Sequence, residues 1–424
     1  MDIRHEEAAL EMPGSTSHGP WPEDSLARVP YWVYQDEANY KREMQRLFEA
    51  ATWNFVCLEA DIPNKGDYRT NQLGEMPVIV VRDADGSINC FENRCAHRGA
   101  LIAFDDGGNV QNNFKCIYHA WSYDLTGNLR GIAFERGING LGGMPADFKR
   151  ETFSPRKLRT TTLCGLVFAT LSPDTPPIEE YIGSEVLGRI KRVLNRPIRV
   201  MGRFVQGLPS NWKLYVENSK DTYHASLLHL FLTTFRINRL TQGGGVLVSP
   251  DGGNHSTYTI AIPEGANATA YRDQGIRTED DDYKLADPSL LDSVNEFGDP
   301  IQVQILSIFP NTVVQQIHNC LAVRQIVPAG VNSTALHWTY FGFADDSPEM
   351  NQRRLKQQNL VGPAGFVSME DGCVTGFVQR GIASAGDKVS VVEMGGQTAE
   401  SQKTRATEAA VRGFWKAYRR HMGD

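Results

Sequence analysis

The 424-residue chain has no apolar run long enough to cross a bilayer; its longest, such as residues 165–171, are the length of a strand. No dense lysine and arginine block offsets its net charge of −7, which argues against a nucleic-acid surface. The acidic run at 279–282 reads as a solvated loop. Cysteine is sparse: seven residues, an odd number spread from Cys57 to Cys373, do not make the framework of a small disulfide-bonded fold. Some of them are therefore expected in the core and some as ligands. Residues 1–25 start with charges, lack a continuous apolar segment and turn to glycine, proline and serine, so a frayed leader and a cytoplasmic location are expected. There is no internal repeat, no low-complexity segment and no glycine-rich dinucleotide fingerprint.

What is present is ordinary for a soluble globular protein, with 41% hydrophobic and 22% charged residues, and the length suggests two domains. Asp36 is placed to cap a helix whose Tyr40, Met44, Leu47 and Phe48 fall on one face. PVIVVR (77–82), a turn at 83–86 and SINCFEN (87–93) read as a β-hairpin, and FKCIYHAWSYD followed by TGN reads as another strand with a turn. The expected organisation is a leader and docked helix over 1–50, an antiparallel β domain over 51–168 and, past the proline-rich stretch 172–183, a larger domain over 169–424. Strands are expected at 301–309 and in the alternation around 313–327, and helices at 210–224, 348–360 and 406–422. The fold class is therefore α+β, its second domain an antiparallel sheet flanked by helices in a helix-grip-like arrangement.

Cys95 and His97 form a C-x-H, Cys116 and His119 a C-x-x-H, and the second cysteine follows the first by 21 positions. Two strand-adjacent loops, each offering one thiolate and one imidazole, supply the ligands of a Rieske [2Fe–2S] cluster, with cysteines on one iron and histidines on the other. The bland alternative is a Cys₂His₂ zinc site. Zinc fingers place the cysteine pair and the histidine pair on separate elements, whereas here each loop mixes the two, so the cluster is preferred.

Asp221, His224 and His229 lie close together in NWKLYVENSKDTYHASLLH. Five residues of ideal helix would turn the two imidazoles about 140° apart, so both reach one metal only if the helix ends or bulges between them. An Fe(II) centre for O₂ chemistry takes two histidines and one carboxylate on one side and leaves the other side open. The carboxylate candidates are Glu370 and Asp371 in GPAGFVSMEDG. A histidine pair alone is weak evidence, but next to a one-electron carrier it completes a circuit for activating O₂.

With these residues in place, the chain resembles the α subunits of the Rieske aromatic-ring-hydroxylating oxygenases over nearly its whole length. ENRCAHRGALIA, CIYHAWSYD, NWKLYVENSKDTYHASLLH, GPAGFVSMEDG and RGFWKAYRRHMG carry the resemblance. It implies a cluster on Cys95, His97, Cys116 and His119, and a catalytic iron on His224, His229 and Asp371, the second member of the acidic pair being the ligand the family shares. It also implies a trimer of α subunits, often with a second trimer of small β subunits, in which Asp221 links His119 of one copy to His224 of the next. The bland reading of Asp221 is a helix-surface charge. A separate NAD(P)H-dependent reductase is implied as the electron source.

The branch of the family the motifs resemble most acts on terephthalate, and branches acting on anthranilate and salicylate are similar but more distant. A benzene dicarboxylate calls for two cationic contacts, and the planar fork of arginine suits each. Arg324 is expected on a strand face shared with His318, Cys320 and Ala322. Arg405 precedes a helix expected to start near Ala406, where the helix dipole disfavours a cation, and a broken local rule points to function. The resemblance implies one carboxylate contact from each arginine and a hydroxyl contact from Thr257; the bland reading makes the first a satisfied strand arginine and the second a surface one. The expected reaction inserts both oxygen atoms on one ring face to give a cis-dihydrodiol dicarboxylate. The rivals are monohydroxylation of a monocarboxylated ring, and an electron carrier without chemistry. His255 and His318 are expected behind the metal ligands, and His5, His18, His337 and His421 as structural or exposed.

Overall fold

A computed structural model describes residues 21–22, 25–235, 237–260, 270–276, 284–363 and 365–423. The leader over 1–20, with His5 and His18, and the acidic run 279–282 lie outside the described residues. The short strand Arg28–Pro30 (β1) leads into helix Glu37–Glu43 (α1), where Asp36 accepts the Asn39 amide at 2.5 Å. The helix continues through a wider turn, Met44–Phe48, and Tyr40, Met44, Leu47 and Phe48 are buried as their spacing predicts.

The next stretch is β-structure. Asn54–Leu58 (β2), Asp67–Leu73 (β3), Met76–Arg82 (β4), Ile88–Glu92 (β5) and Gly107–Asn109 (β6) join a sheet later completed by two more strands. Asn113–Lys115 (β7), Ser122–Asp124 (β8) and Leu129–Gly131 (β9) form a separate three-stranded sheet. Lys157–Leu163 (β10) and Leu166–Thr170 (β11) complete the first, in the order β2-β11-β10-β5-β4-β3-β6, with antiparallel pairing. The hairpin expected at 77–93 is present as β4 and β5. The stretch 114–124 is not one strand: β7 and β8 flank a loop that carries Cys116 and His119. The all-apolar run of β4 has a role on each face. Ile79 and Val81 pack with Phe91, Cys95, Cys116 and Tyr123, while Val78 and Val80 pack with Cys57, Cys90 and Val167.

Helices Ile178–Ile182 (α2) and Ser184–Val193 (α3) open the second half. Its sheet consists of Ile198–Leu208 (β12), Gly244–Val248 (β13), His255–Ile260 (β14), Ile301–Ile308 (β15), Thr312–Ile317 (β16), Cys320–Pro328 (β17) and Thr334–Phe343 (β18), antiparallel in the order β12-β18-β17-β16-β15-β14-β13. One face holds Leu306, Val314, Leu321, Val323 and Phe341 against α2, α3 and the β2–β11 pair. The other face is covered by helices Trp212–Lys220 (α4), Ala225–Leu228 (α5), Leu230–Thr234 (α6), Pro348–Val361 (α8), Phe366–Gly381 (α9) and Ala409–Met422 (α10); Ala270–Asp273 (α7) lies between β14 and β15 in the chain. Val389–Val391 (β19) pairs with β1. This is the α+β class expected, antiparallel sheets with helices on the larger one.

A buried polar knot holds α1, α4 and α10 together. Glu43 accepts from Asn39 Nδ2 at 2.8 Å, Tyr418 Oη at 2.6 Å and Trp212 Nε1 at 2.8 Å, and Lys213 Nζ lies 2.7 Å away. Four donors around one buried carboxylate make the pairing worth its desolvation.

Three further expectations need correction. The helix over 210–224 stops at Lys220, because Asp221 takes an extended conformation. The C-terminal helix begins at Ala409, so Arg405 lies in the preceding loop and not at a helix terminus. His318 is not on a strand face: with φ +51° it makes the turn between β16 and β17, while Cys320, Ala322 and Arg324 do share a face. Among the remaining cysteines Cys57, Cys90 and Cys320 are buried, but Cys164 is half-buried and Cys373 is exposed. No helix among the described residues is long and apolar enough to cross a membrane.

Candidate metal centres and substrate cavity

The two cysteine–histidine loops share one backbone design. Cys95 N–H donates to Ala100 O and Gly99 N–H to Cys95 O; likewise Cys116 N–H donates to Trp121 O and Ala120 N–H to Cys116 O. The fourth residue after each cysteine is left-handed, Gly99 at φ +74° and Ala120 at φ +56°, the first freely and the second at a cost. Cys95 and Cys116 are buried, and His97 and His119 lie outside them with their Nδ1 atoms 3.1 Å apart. Paired thiolates inside and paired imidazoles outside match the ligand set of a Rieske cluster, and the facing Nδ1 atoms are the donors the second iron would take. Trp121 stacks on His97 at 4.8 Å, and Tyr123 Oη donates to Cys95 Sγ at 3.1 Å.

The second constellation is built at the end of α4. Asp221 stops the helix, and its Oδ1 accepts the amides of Tyr223 at 2.7 Å and His224 at 3.3 Å, folding the chain into a turn. The chain then makes α5 and breaks again at His229, whose φ and ψ of −85° and 83° separate α5 from α6. This is the interruption that bringing both imidazoles to one centre requires. Across from them, α9 lies close on β12, because a Cβ at Gly372 would approach Gln206 and Leu208 to 3.0 Å. Gln206 exchanges hydrogen bonds with Ser368 there, at 3.0 and 2.7 Å, and fixes the turn of α9 that carries Asp371.

Asp371 Oδ1 lies 3.5 Å from His224 Nε2 and 3.1 Å from His229 Nε2, and the three donor atoms fall within 4.8 Å of one another. Each imidazole has a second carboxylate on its far side: Asp221 Oδ2 is 3.2 Å from His224 Nδ1, off the line of a good hydrogen bond, and Glu370 Oε2 is 2.7 Å from His229 Nδ1. The Glu370 carboxylate keeps the proton of His229 on Nδ1 and turns its Nε2 lone pair toward the centre. Burial alone would raise the pKa of Asp371, but the two imidazoles hold it well below the carboxylate range. Two nitrogens and one oxygen on one side, with a buried negative charge to compensate, fit a divalent iron.

The open side of this triad faces a cavity. Its floor is the sheet, where Thr257 on β14, Ile305 on β15, Gln315 on β16 and Ala322 on β17 stand in one row. Arg324 lies one row away on β17. Its Nη1 donates to Tyr215 Oη at 2.9 Å, its guanidinium lies 5.1 Å from the Trp338 ring, and its buried Nε has no partner among the described residues. Arg405 is also buried. Its Nη1 donates to Asn238 Oδ1 and, at 3.0 Å, to Thr259 Oγ1, while its Nε and Nη2 have no partner among the described residues. Burial brings its pKa down to about 10, which still leaves it charged at neutral pH. Thr222 Oγ1 donates to Arg405 O at 2.6 Å, tying this loop to the segment that bears His224 and His229.

The structure thus brings Asp221, His224, His229, Asp371, Thr257, Arg324 and Arg405 to one cavity. His255 and His318 do not line it. His255 is buried with Nδ1 3.0 Å from Lys220 Nζ, and His318 lines a separate hollow beside Glu296 and Asp299. His421 stacks on Phe309 at 5.1 Å, and His337 is half-buried. The sequence reading missed two residues, Asn218 and Gln315, and named a third, Glu370, only as a candidate metal ligand. Asn218 Nδ2 donates to Asp371 Oδ1 at 3.1 Å, Glu370 serves His229 rather than the metal, and Gln315 lines the floor. Only Gln315 had a signal, a polar residue at a core position between Val313 and Ile317 on the face that period two shares with them.

Comparison with known proteins adds to this geometry. The Rieske [2Fe-2S] domain pattern matches residues 52–141, and that of the ring hydroxylating alpha subunit (catalytic domain) matches 190–424. The chain is 56% identical over 404 residues to the terephthalate 1,2-dioxygenase terminal oxygenase component subunit alpha 2 of Comamonas sp, covering 95% of this chain and 97% of that one. It is 45% identical over 403 residues to the anthranilate 1,2-dioxygenase large subunit of Burkholderia cepacia, covering 95% of each. In fold it is similar to naphthalene 1,2-dioxygenase from Rhodococcus sp., with a TM-score of 0.76 at 22% identity over 93% of this chain and 94% of that one.

Proposed function

This chain belongs to the α subunits of the Rieske ring-hydroxylating oxygenases, and from that membership we propose that it dihydroxylates a para-dicarboxylated benzene, terephthalate. As a member it is a ring-hydroxylating dioxygenase with a Rieske [2Fe–2S] cluster and a mononuclear iron, and it takes electrons from a separate reductase. The observation that carries the substrate reading is the pair of buried arginines that line the cavity beside the metal triad, each with donors unpartnered among the described residues and each anchored to a different strand of the floor. Arg324 projects from β17 and Arg405 reaches Thr259 on β14, three strands across and, since Thr259 is level with Cys320, four residues along, about 20 Å between the two strand positions at ~4.8 Å per strand and ~3.3 Å per residue. Cations anchored that far apart suit carboxylates across a ring, not carboxylates on neighbouring carbons. A buried cation with free donors is costly until an anion arrives, which makes each arginine selective for one.

Within this reading Cys95, His97, Cys116 and His119 hold the cluster, and His224, His229 and Asp371 hold the iron. When bound, the iron supplies the redox chemistry that lets O₂ react with an aromatic ring. Arg324 and Arg405 orient the ring by its carboxylates, with Thr257 as a hydroxyl contact. Leu232, Ile237, Val303, Ile305 and Val367 line the apolar walls and exclude water from the ring. Glu370 holds the Nδ1 proton of His229, and Asp221 places its charge 3.2 Å from Nδ1 of His224. Asp221 is 22% exposed, which leaves it able to receive His119 of a second copy and to act as the inter-subunit bridge. The product is a cis-dihydrodiol dicarboxylate.

The same proposal covers the finer organisation: a leader and helix over 1–50, a cluster domain over 51–168, an iron domain over 169–424, and an α₃β₃ assembly with a small β subunit. A reducing, cytoplasmic setting is supported by the five cysteines outside the cluster loops, none of which is in a disulfide. The test is product formation from terephthalate, benzoate, salicylate and anthranilate by the purified oxygenase with reductase, NAD(P)H and O₂. Preferential conversion of terephthalate to a cis-dihydrodiol supports the reading; turnover of the monocarboxylates alone discards the substrate and keeps the family.

A further inference from the structure

We propose that Gln315 is a specificity-determining residue that shares with Arg324 the recognition of one substrate carboxylate. This inference rests on the dicarboxylate reading above and adds a residue to it. Gln315 is 1% exposed, it lines the cavity, and its Nε2 has no partner among the described residues. Leaving a buried amide unpaired costs on the order of 1–3 kcal/mol, so its place on an otherwise apolar strand face asks for a ligand.

The register identifies that ligand's chemistry. Val313 pairs with Arg324 and Gln315 with Ala322, so Gln315 and Arg324 are diagonal neighbours on adjacent strands with their side chains on the same face. Diagonal neighbours lie about 7–8 Å apart, within reach of two long side chains that converge on one group. Each presents a buried, unpartnered N–H donor, Nε of Arg324 and Nε2 of Gln315. Two donors without an acceptor select an anion with two acceptor oxygens. Gln316, the next residue, shows the contrast. It points to the opposite face, where its Oε1 accepts from Arg192 at 2.6 Å and its Nε2 donates to Ile301 O and His318 O, so its amide is fully used.

A neutral amide beside the arginine adds hydrogen-bond geometry without a second charge. It also sets a polarity: the position donates to a carboxylate, and the same position as a glutamate would repel it. The experiment compares wild type, Gln315→Leu and Gln315→Glu as complete oxygenase with both metal centres loaded, against terephthalate and its monoamide. Equilibrium dialysis gives Kd, turnover gives KM and kcat, and iron content and the cluster spectrum control for folding.

Gln315→Leu is expected to raise Kd and KM for terephthalate about 10- to 100-fold with kcat changed less than about threefold, the loss of one hydrogen bond to a charged group. Gln315→Glu is expected to bind terephthalate more weakly still and to recover with the monoamide, whose N–H groups a carboxylate accepts. A structural role would not reverse the order of the two ligands. Terephthalate binding by Gln315→Leu within twofold of wild type, or equal losses for both ligands in Gln315→Glu, would overturn the inference alone. Wild-type enzyme that fails to bind terephthalate overturns the substrate reading and this inference with it.

Discussion

Replacing Arg405 by methionine separates what the residue does for binding from what it does for folding. Its Nη1 serves Asn238 and Thr259, while Nε and Nη2 are buried without partners among the described residues. The substitution keeps an unbranched stem of similar length and removes one charge. For folding, Asn238 Oδ1 loses a donor, which costs about 1–3 kcal/mol, and the disappearance of two unsatisfied N–H groups and a desolvated charge acts in the opposite direction. The net change in stability is therefore small, under about 2 kcal/mol and of either sign. For binding no such offset exists. Truncating one partner of a buried, hydrogen-bonded charge pair costs about 2–5 kcal/mol, or ~30- to ~4,000-fold in kcat/KM for terephthalate. Benzoate held through Arg324 has no carboxylate for Arg405 to meet, and its kcat/KM is expected to change less than about threefold. The assay is product formation by the reconstituted oxygenase with each acid, alongside thermal unfolding. A parallel fall for both acids, or a terephthalate value within threefold of wild type, would refute the assignment of Arg405 to a carboxylate.

Other perturbations address other parts of the structure. Tyr123→Phe removes the hydrogen bond to Cys95 Sγ, which favours the reduced, more negative cluster. Its midpoint potential should fall by about 60 mV if the bond discriminates tenfold between redox states, and protein-film voltammetry reading no shift would contradict this. Glu370→Ala leaves His229 Nδ1 without its carboxylate and should weaken Fe(II) binding about 10- to 100-fold in competition with a chelator, with the cluster spectrum unchanged; undiminished affinity would show that Glu370 does not orient the imidazole. Burial raises Glu217 to a pKa of about 7, against the hydrogen bonds from Trp415 and Tyr34. Because the folded state holds this proton more tightly than the unfolded one, Glu217 makes the protein less stable as pH rises from the ordinary carboxylate range through about 7. Glu217→Gln should therefore gain stability relative to wild type across that window, and urea titrations showing a pH-independent difference would contradict the shift.

The parts of the site that could be read in advance are those whose geometry is local. Each cluster loop closes on itself within a few residues, through Cys95 to Ala100 and Cys116 to Trp121, so the spacing of cysteine and histidine already contains the arrangement. The break between the imidazoles was legible for the same reason, since helical periodicity alone forbids an uninterrupted helix to serve one metal. Local rules failed where a side chain overrode propensity. Ala225, Leu227 and Leu228 beyond Lys220 are good helix formers and suggest that α4 continues, yet Asp221 takes two following amides onto Oδ1 and ends it. Arg405 entered the site reading through a helix dipole that does not reach it, and the structure substitutes burial and two orphaned donors as the argument.

The floor of the cavity was closed to inspection of the sequence because register makes it. Gln315 meets Arg324 only because β16 and β17 pair with Val313 opposite Arg324; a slip of one residue would turn Gln315 away and present Gln316, which is committed to Arg192 on the other face. Arg405 belongs to the same surface through the bridge between Val246 and Gln402, which brings a segment near the C-terminus onto the β13 edge. The proposed metal ligands and the proposed substrate contacts thus depend on different kinds of information, turns for the first and strand pairing for the second. A related chain can keep every ligand of the cluster and the iron while exchanging the polar residues on β14, β16 and β17, so those positions, and not the metal motifs, are where substrate preference within this family has to be read.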